Sequence, residues 1–402
     1  MGLVVQNHSI TPFGPMRLLF LILSAFLVHA THAQTFSELV DTIKDADPTE
    51  HEVLIADFVA SSSFPHLEND STVVFLYQGD ATSVMVTGDF SGWSPNGWAL
   101  ERLMQTELWY RVAPFEPDAR IDYKIILNET EWMLDPANPR QAPSGFGPNS
   151  ELAMPAYEQP WEVRTNESLP KGTLESHSFS SAIMANTREV SIYLPSGYDA
   201  NRADPYPVIL YHDGSDYLNA AGITTILDNL IGSGRVEPLV AVFANPLDRE
   251  AEYATTETAE FTRLIVEELM PWVESNHHVS SDPARRAVTG PSYAGLASAR
   301  HCFQHPQEFG LCAPFSPSFW VSEGALLESI AEGDSTPIKW YVEWGTYEPS
   351  IAATGLLFQD VLSGQGAEFQ ANEWHEGHSW GMWRAHQDDM LEYFFPGVNA
   401  SR

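Results

Sequence analysis

The sequence predicts an α/β fold: a mostly parallel sheet covered by helices on both faces, preceded by a small all-β sandwich. Two observations carry this. From about Leu174 onward, short apolar runs alternate with helical stretches, the pattern of a parallel sheet buried on both sides. Between residues 72 and 127 the apolar runs are short, strand-like and separated by turn residues, the pattern of a small sandwich. A third observation links fold to chemistry. In Ala287–Ala299 an apolar strand runs through a tight Gly/Ser turn into small helix-forming residues.

In chain order, Arg17 precedes an eleven-residue apolar run, Leu18 to Val28, and small residues follow. Thr31-His32-Ala33 and Val28-His29-Ala30 are candidate cleavage sites, and Met16 is an alternative start. The run is too short to span a bilayer, so residues 1–33 read as a secretory signal peptide and the protein as periplasmic or secreted. Residues 34–66 read as a helical lead, with Phe36, Leu39, Val40 and Ile43 at helical spacing. Residues 67–160 form the sandwich, with strands at Thr72–Tyr77, Ser83–Thr87, Leu108–Val112 and Ile121–Leu127. The Pro/Gly-rich stretch Ala142–Pro148 reads as a linker.

Residues 161–402 carry the α/β unit. Strands are expected at Glu189–Leu194, Pro207–Tyr211, Leu239–Ala244, Gly310–Pro314, Ile338–Trp344 and Glu368–Trp374, besides the strand before the Gly/Ser turn. Helices are expected at Gly222–Ile231, Thr256–Glu274, Gly324–Glu332, Ile351–Ser363 and Trp380–Phe394.

Charge narrows the partners. Fifty-four acidic residues face 20 basic ones, for a net charge of −34. Such a surface repels nucleic-acid phosphates and anionic lipid, so neither nucleic acid nor membrane is expected as a partner. An acidic shell of this kind suits saline surroundings or general solubility. The two cysteines, Cys302 and Cys312, fall on a helix and the next strand; they are either buried thiols or a disulfide pair. No Cys/His spacing of the metal-binding type occurs, and no metal or cofactor is expected.

The turn Thr289-Gly290-Pro291-Ser292-Tyr293-Ala294-Gly295 has the layout of a nucleophile elbow, with the serine at a strained strand-to-helix corner. The usual second glycine, two residues after the serine, is Ala294, and Gly295 follows it. A serine hydroxyl needs a base within reach and a third group to orient that base. On this architecture the chain order is Ser, acid, His. His378, in the loop after the last strand and before the last helix, is the expected base. His375 falls in the strand and His386 in the helix. The acid comes from the loop after Ile338–Trp344, where Glu348 is the carboxylate; Asp388 and Asp389 are the alternatives. Oxyanion donors are expected at Tyr293, after the nucleophile, and at Gly214 and Ser215, in the loop after Pro207–Tyr211. Trp320, Trp380 and Trp383 are candidate aromatic lining, and Arg249 and Arg384 candidate ligands for a polar or anionic substrate group.

These stretches carry a resemblance. From about residue 68 to the C-terminus the chain resembles the enterochelin esterase family of α/β-hydrolases, within the esterase D-type group. The matching stretches include Thr106-Glu107-Leu108-Trp109-Tyr110-Arg111, Asp135-Pro136-Ala137-Asn138-Pro139, Asp213-Gly214, Asp248-Arg249, the elbow, Ser316–Trp320, Glu348-Pro349 and Gly377-His378. The resemblance implies catalytic roles for Ser292 and His378, and an immunoglobulin-like, early-set form for the sandwich. The Asp89–Trp93 turn is similar to the carbohydrate-binding version of that module, as found fused to feruloyl esterases. Two substrate classes follow: trilactone siderophores and hydroxycinnamate esters of plant polysaccharide. The expectation is an exported serine carboxylic ester hydrolase acting on a small-molecule ester. Two other readings stand beside it: a glycan-binding module using Trp93, Trp98 or Trp132, and a catalytically silent protein of the same fold.

Overall fold

The computed structural model describes residues 1–2, 34–145 and 147–400. The signal-peptide reading of residues 1–33 therefore lies outside the described residues, save for the first two. Among the described residues, no helix is long and apolar enough to cross a membrane.

The chain opens with two helices, Phe36–Asp45 and His51–Ser61. Thr35 caps the first: its Oγ1 accepts the Glu38 N–H at 3.2 Å, while the Glu38 carboxylate accepts the Thr35 N–H at 2.9 Å. Phe36, Leu39, Ile43, Ile55 and Phe58 pack on Val74, Leu76 and Leu108. Those residues belong to an antiparallel sheet ordered His66–Asn69, Thr72–Gln78, Leu108–Pro114, Glu101–Arg102. Alternate residues of Thr72–Gln78 point the other way, because side chains switch faces along a strand. Val73 and Phe75 thus meet Val84, Val86, Ile121, Tyr123 and Ile125 of a second antiparallel sheet. The result is three layers: helices, sheet, sheet. Residues 73–76 are apolar throughout since one face meets helices and the other meets the second sheet.

The second sheet runs Trp98–Ala99, Val84–Gly88, Arg120–Leu127, Asn149–Ala153, Gln141–Ala142, with Glu131–Met133 also paired to Arg120–Leu127. This corrects one expectation. The Ala142–Pro148 stretch is not a linker; it connects two paired strands of this sheet, Gln141–Ala142 and Asn149–Ala153. Its Pro and Gly residues serve a turn.

The large sheet has eight strands, in the order Thr173–Ser181, Asn186–Leu194, Val240–Ala244, Val208–His212, Arg286–Pro291, Leu311–Phe315, Lys339–Gly345, Glu368–Trp374. The first two pairings are antiparallel and the remaining five parallel. Parallel strands Val208–His212, Val240–Ala244 and Leu311–Phe315 are buried at every position, as a sheet covered on both faces requires. One apolar core fills each face.

Two expected helices are interrupted. The Thr256–Glu274 helix is Thr258–Arg263, a wider π turn at Leu264–Leu269, and Met270–Asn276. The Trp380–Phe394 helix splits into Trp380–Ala385 and Gln387–Phe394 at His386, whose ring stacks on Trp374 at 3.9 Å. Cys302 and Cys312 are buried free thiols, their Sγ atoms directed to the Leu311 and Ser298 carbonyls.

Candidate active site

Ser292 sits between the strand Arg286–Pro291 and the helix Tyr293–Gln304, at φ 59°, ψ −120°. That backbone is strained for any residue with a Cβ, and it is held on both sides. Its N–H donates to the Phe315 carbonyl at 2.9 Å, and its carbonyl accepts from the Ser318 N–H at 3.2 Å. Both partners lie on the neighbouring strand and the loop that follows it. The displaced glycine has a geometric meaning. A Cβ at Gly295 would come within 3.0 Å of both the Gly290 and Phe315 carbonyls, so the close approach falls one residue later than usual. Ala294 is accommodated and fully buried.

Glu348 immediately precedes the helix Pro349–Gln365, and its carboxylate turns inward. Oε2 accepts from the Gly345 N–H at 2.6 Å and the Ser316 hydroxyl at 2.9 Å. Oε1 is hydrogen-bonded to Nδ1 of His378. A carboxylate only accepts, so the imidazole proton sits on Nδ1 and the Nε2 lone pair is free to take a proton. Trp383 meets the His378 ring edge-to-face at 4.9 Å and donates its Nε1–H to Ser316 at 3.0 Å. Ser316, Trp383 and Glu348 thus frame His378 from two sides. Ser316 and Ser318 fall within the Ser316–Trp320 stretch of resemblance, but the sequence signals no role for either; the hydroxyl of Ser318 lies 3.4 Å from that of Ser292.

Ser292 and His378 line one cleft of about 700 Å³. Tyr293 opens the helix after the nucleophile, where first-turn N–H groups have no intrahelical acceptor. Gly214 opens a short helical turn behind Asp213, which adopts φ 54°. Ser215 is a correction: its N–H is taken by the Asn245 side chain at 2.8 Å and is not available as an oxyanion donor.

Trp380 and Trp383 line the cleft, packed edge-to-face at 5.1 Å. Trp320 does not; it is half exposed and stands beside Tyr293. Arg384 is also absent from the lining and faces Glu151 at 4.0 Å. Arg249 is at the cleft, but its Nε and Nη2 are spent on Asp213, at 2.7 Å for the shortest contact. It orders the Asp213 loop. The alternative bases and acids are engaged elsewhere: His375 with Asp118, His386 with Glu376, Asp388 with Arg235 and Asp389 with His386.

The opposite wall of the cleft comes from the second antiparallel sheet and its loops. Trp93, Trp132, Asp122, Lys124, Ser144, Gly145 and Asn149 line the same cleft as Ser292. Trp98 does not; its ring packs tilted against Phe90 at 4.1 Å, partly buried against the sandwich core. The same sheet braces the His378 loop. Arg120, wholly buried, contacts Asp122 at 2.8 Å and Glu151 at 2.7 Å, and donates Nη1–H to the Ser379 hydroxyl at 2.9 Å. Its guanidinium lies so close to Gly381 that a Cβ there would sit 1.9 Å from Cζ. Its backbone N–H donates to the His375 carbonyl at 3.0 Å. Nothing in local sequence signals these contacts, which join residues some 260 positions apart.

Comparison with known proteins agrees with this architecture. The model of the family described as "Putative esterase" matches residues 181–394. The iron(III) enterobactin esterase of Dickeya dadantii is 25% identical over 74% of this chain and 79% of its own length. An endo-1,4-beta-xylanase/feruloyl esterase of Xylanibacter ruminicola is 23% identical over 65% of this chain and 37% of its own. The enterobactin esterase of Shigella flexneri, solved in the presence of enterobactin, shares the fold with a TM-score of 0.70 at 22% identity, covering 82% of this chain and 94% of that one.

Proposed function

Since the chain belongs to this esterase family of α/β-hydrolases, we propose that it is an exported serine carboxylic ester hydrolase whose nucleophile is Ser292, base His378 and orienting acid Glu348. The observation that carries the reading is His378, hydrogen-bonded to the buried Glu348, sharing one cleft with a serine on a strained strand-to-helix corner. Nε2 of His378 takes the proton as Oγ of Ser292 attacks the ester carbonyl. The oxyanion is met by the N–H groups of Tyr293 and Gly214, and Glu348 stabilises the imidazolium. His378 returns the proton to the leaving alkoxide. Water, deprotonated by the same His378, then releases the acid and restores Ser292.

Four tryptophans line the cleft: Trp93, Trp132, Trp380 and Trp383. They favour a substrate with an aromatic group, siderophore-type trilactones included. A feruloyl or carbohydrate esterase is the second reading, supported by Trp93 and Trp132 standing in the cleft itself rather than on a separate face. The test is an ester panel: short p-nitrophenyl esters, methyl ferulate and a catecholate trilactone. Ser292→Ala should lower turnover of every responsive ester by about 10⁴-fold or more while the fold persists. Activity equal to the wild type would end the proposal. The ester with the highest kcat/KM assigns the acyl class.

A further inference from the structure

A ring nitrogen of His177, a ring nitrogen of His277 and a carboxylate oxygen of Glu175 lie within 4.8 Å of one another at the edge of the large sheet. We propose that these three side chains bind a divalent transition metal of the zinc class, at a site separate from the ester cleft. None of the three lines that cleft.

The strand Thr173–Ser181 is the outermost of the sheet, and Glu175 and His177, two residues apart, share one of its faces. His277 ends the helix Met270–Asn276 in an extended conformation, which turns its ring toward that strand. The Nε2 of His177 already stands 3.2 Å from Glu175. Donors at about 2.0–2.1 Å from a tetrahedral ion are about 3.4 Å apart, so this pair matches one edge of the polyhedron and side-chain rotation brings in the third. His277 supplies the independent sign of a ligand. It is nine-tenths buried, and its Nε2 is shielded from solvent with no hydrogen-bond partner among the described residues. A buried imidazole nitrogen left unpaired is costly unless something accepts its lone pair or its proton. Trp272 packs edge-on against both rings, at 5.2 Å from His177 and 6.3 Å from His277, and forms an apolar wall behind them.

Two imidazoles and one carboxylate are the donors that zinc-class ions select over magnesium or calcium. Glu175 and His177 are partly exposed, so a fourth position stays open to water. Bound there, the ion would tie the edge strand to the end of the long helix.

The test uses the untagged full chain, stripped with EDTA and titrated with zinc by calorimetry and with cobalt(II) by visible absorption. One ion per chain is expected, with a zinc-induced rise in Tm. Since losing even an outer partner weakens metal sites by about 10- to 100-fold, His177→Ala and Glu175→Gln should each weaken binding about 100-fold or more. Both change partly exposed side chains, and far-UV circular dichroism checks that each folds. Failure of the wild type to take up one ion, or wild-type affinity and Tm response in both variants, overturns the proposal.

Discussion

The two walls of the cleft are built on different terms. The wall from the parallel sheet holds Ser292, Glu348 and His378 beyond the ends of three of its parallel strands, each fixed by backbone hydrogen bonds or a short side-chain network. The wall from the antiparallel sheet contributes none of the three groups proposed for the reaction. It supplies aromatic rings and one cation, Lys124, and beneath them a buried charged cluster that presses on the His378 loop. In the proposed mechanism the chemistry sits on one side, and fit and support on the other. If that division is right, mutations on the antiparallel wall should change binding or stability without removing the chemical step.

The largest effect should come from the buried cluster. Arg120→Met leaves Asp122 and Glu151 without their cation and removes the donor to Ser379. Leaving buried charges unpaired costs about 3–5 kcal/mol. Urea denaturation should show this loss, and kcat should fall as well, because Ser379 directly follows His378. A variant with wild-type stability would mean that the two walls are independent.

A smaller effect separates fit from chemistry. Trp132 is exposed toward the cleft and outside the packed core. Trp132→Ala should raise KM for an aromatic ester about tenfold, close to 1.4 kcal/mol, with kcat unchanged and short-chain acetate esters unaffected. An equal loss for acetate and aromatic esters would place Trp132 outside substrate contact.

The same division explains what could be read from the sequence. The placement of Ser292, Glu348 and His378 at strand ends was legible because strand, turn and helix signals recur locally, and a parallel sheet aligns its strand ends on one edge. Ser215 was misread because its amide answers to Asn245, thirty residues away. Arg384 and Trp320 were misread because short separation from His378 or from a strand end does not fix which way a side chain points. Trp93 and Trp132 were noted as glycan candidates, but nothing local reveals that they look into the cleft. The metal-type trio has the same character: Glu175 and His177 lie about a hundred positions before His277, joined only by the fold.

The finest test of the joint is its pH dependence. Asp89 is buried; its carboxylate accepts the Asp122 N–H at 2.8 Å and the Trp93 Nε1–H at 3.0 Å, and Gly377 lies directly against it. Burial, reinforced by the charge of Asp122, pushes the Asp89 carboxyl up to about 7, from an ordinary value of 3.8. A raised carboxyl is protonated in the folded state while the unfolded chain is already ionised. Its stabilising contribution is complete below pH 3.8 and is lost as the pH rises through 7. Between pH 6 and 8 the loss amounts to about 1.4 kcal/mol, one tenfold change in the folded-to-unfolded ratio. Asp89→Asn keeps one acceptor and cannot ionise, so its stability should vary less with pH over this window by that amount. Parallel pH profiles of urea midpoints measure the difference. If the two profiles superimpose, Asp89 carries no proton at neutral pH, and the cluster beneath the antiparallel wall is anionic where it meets the His378 loop.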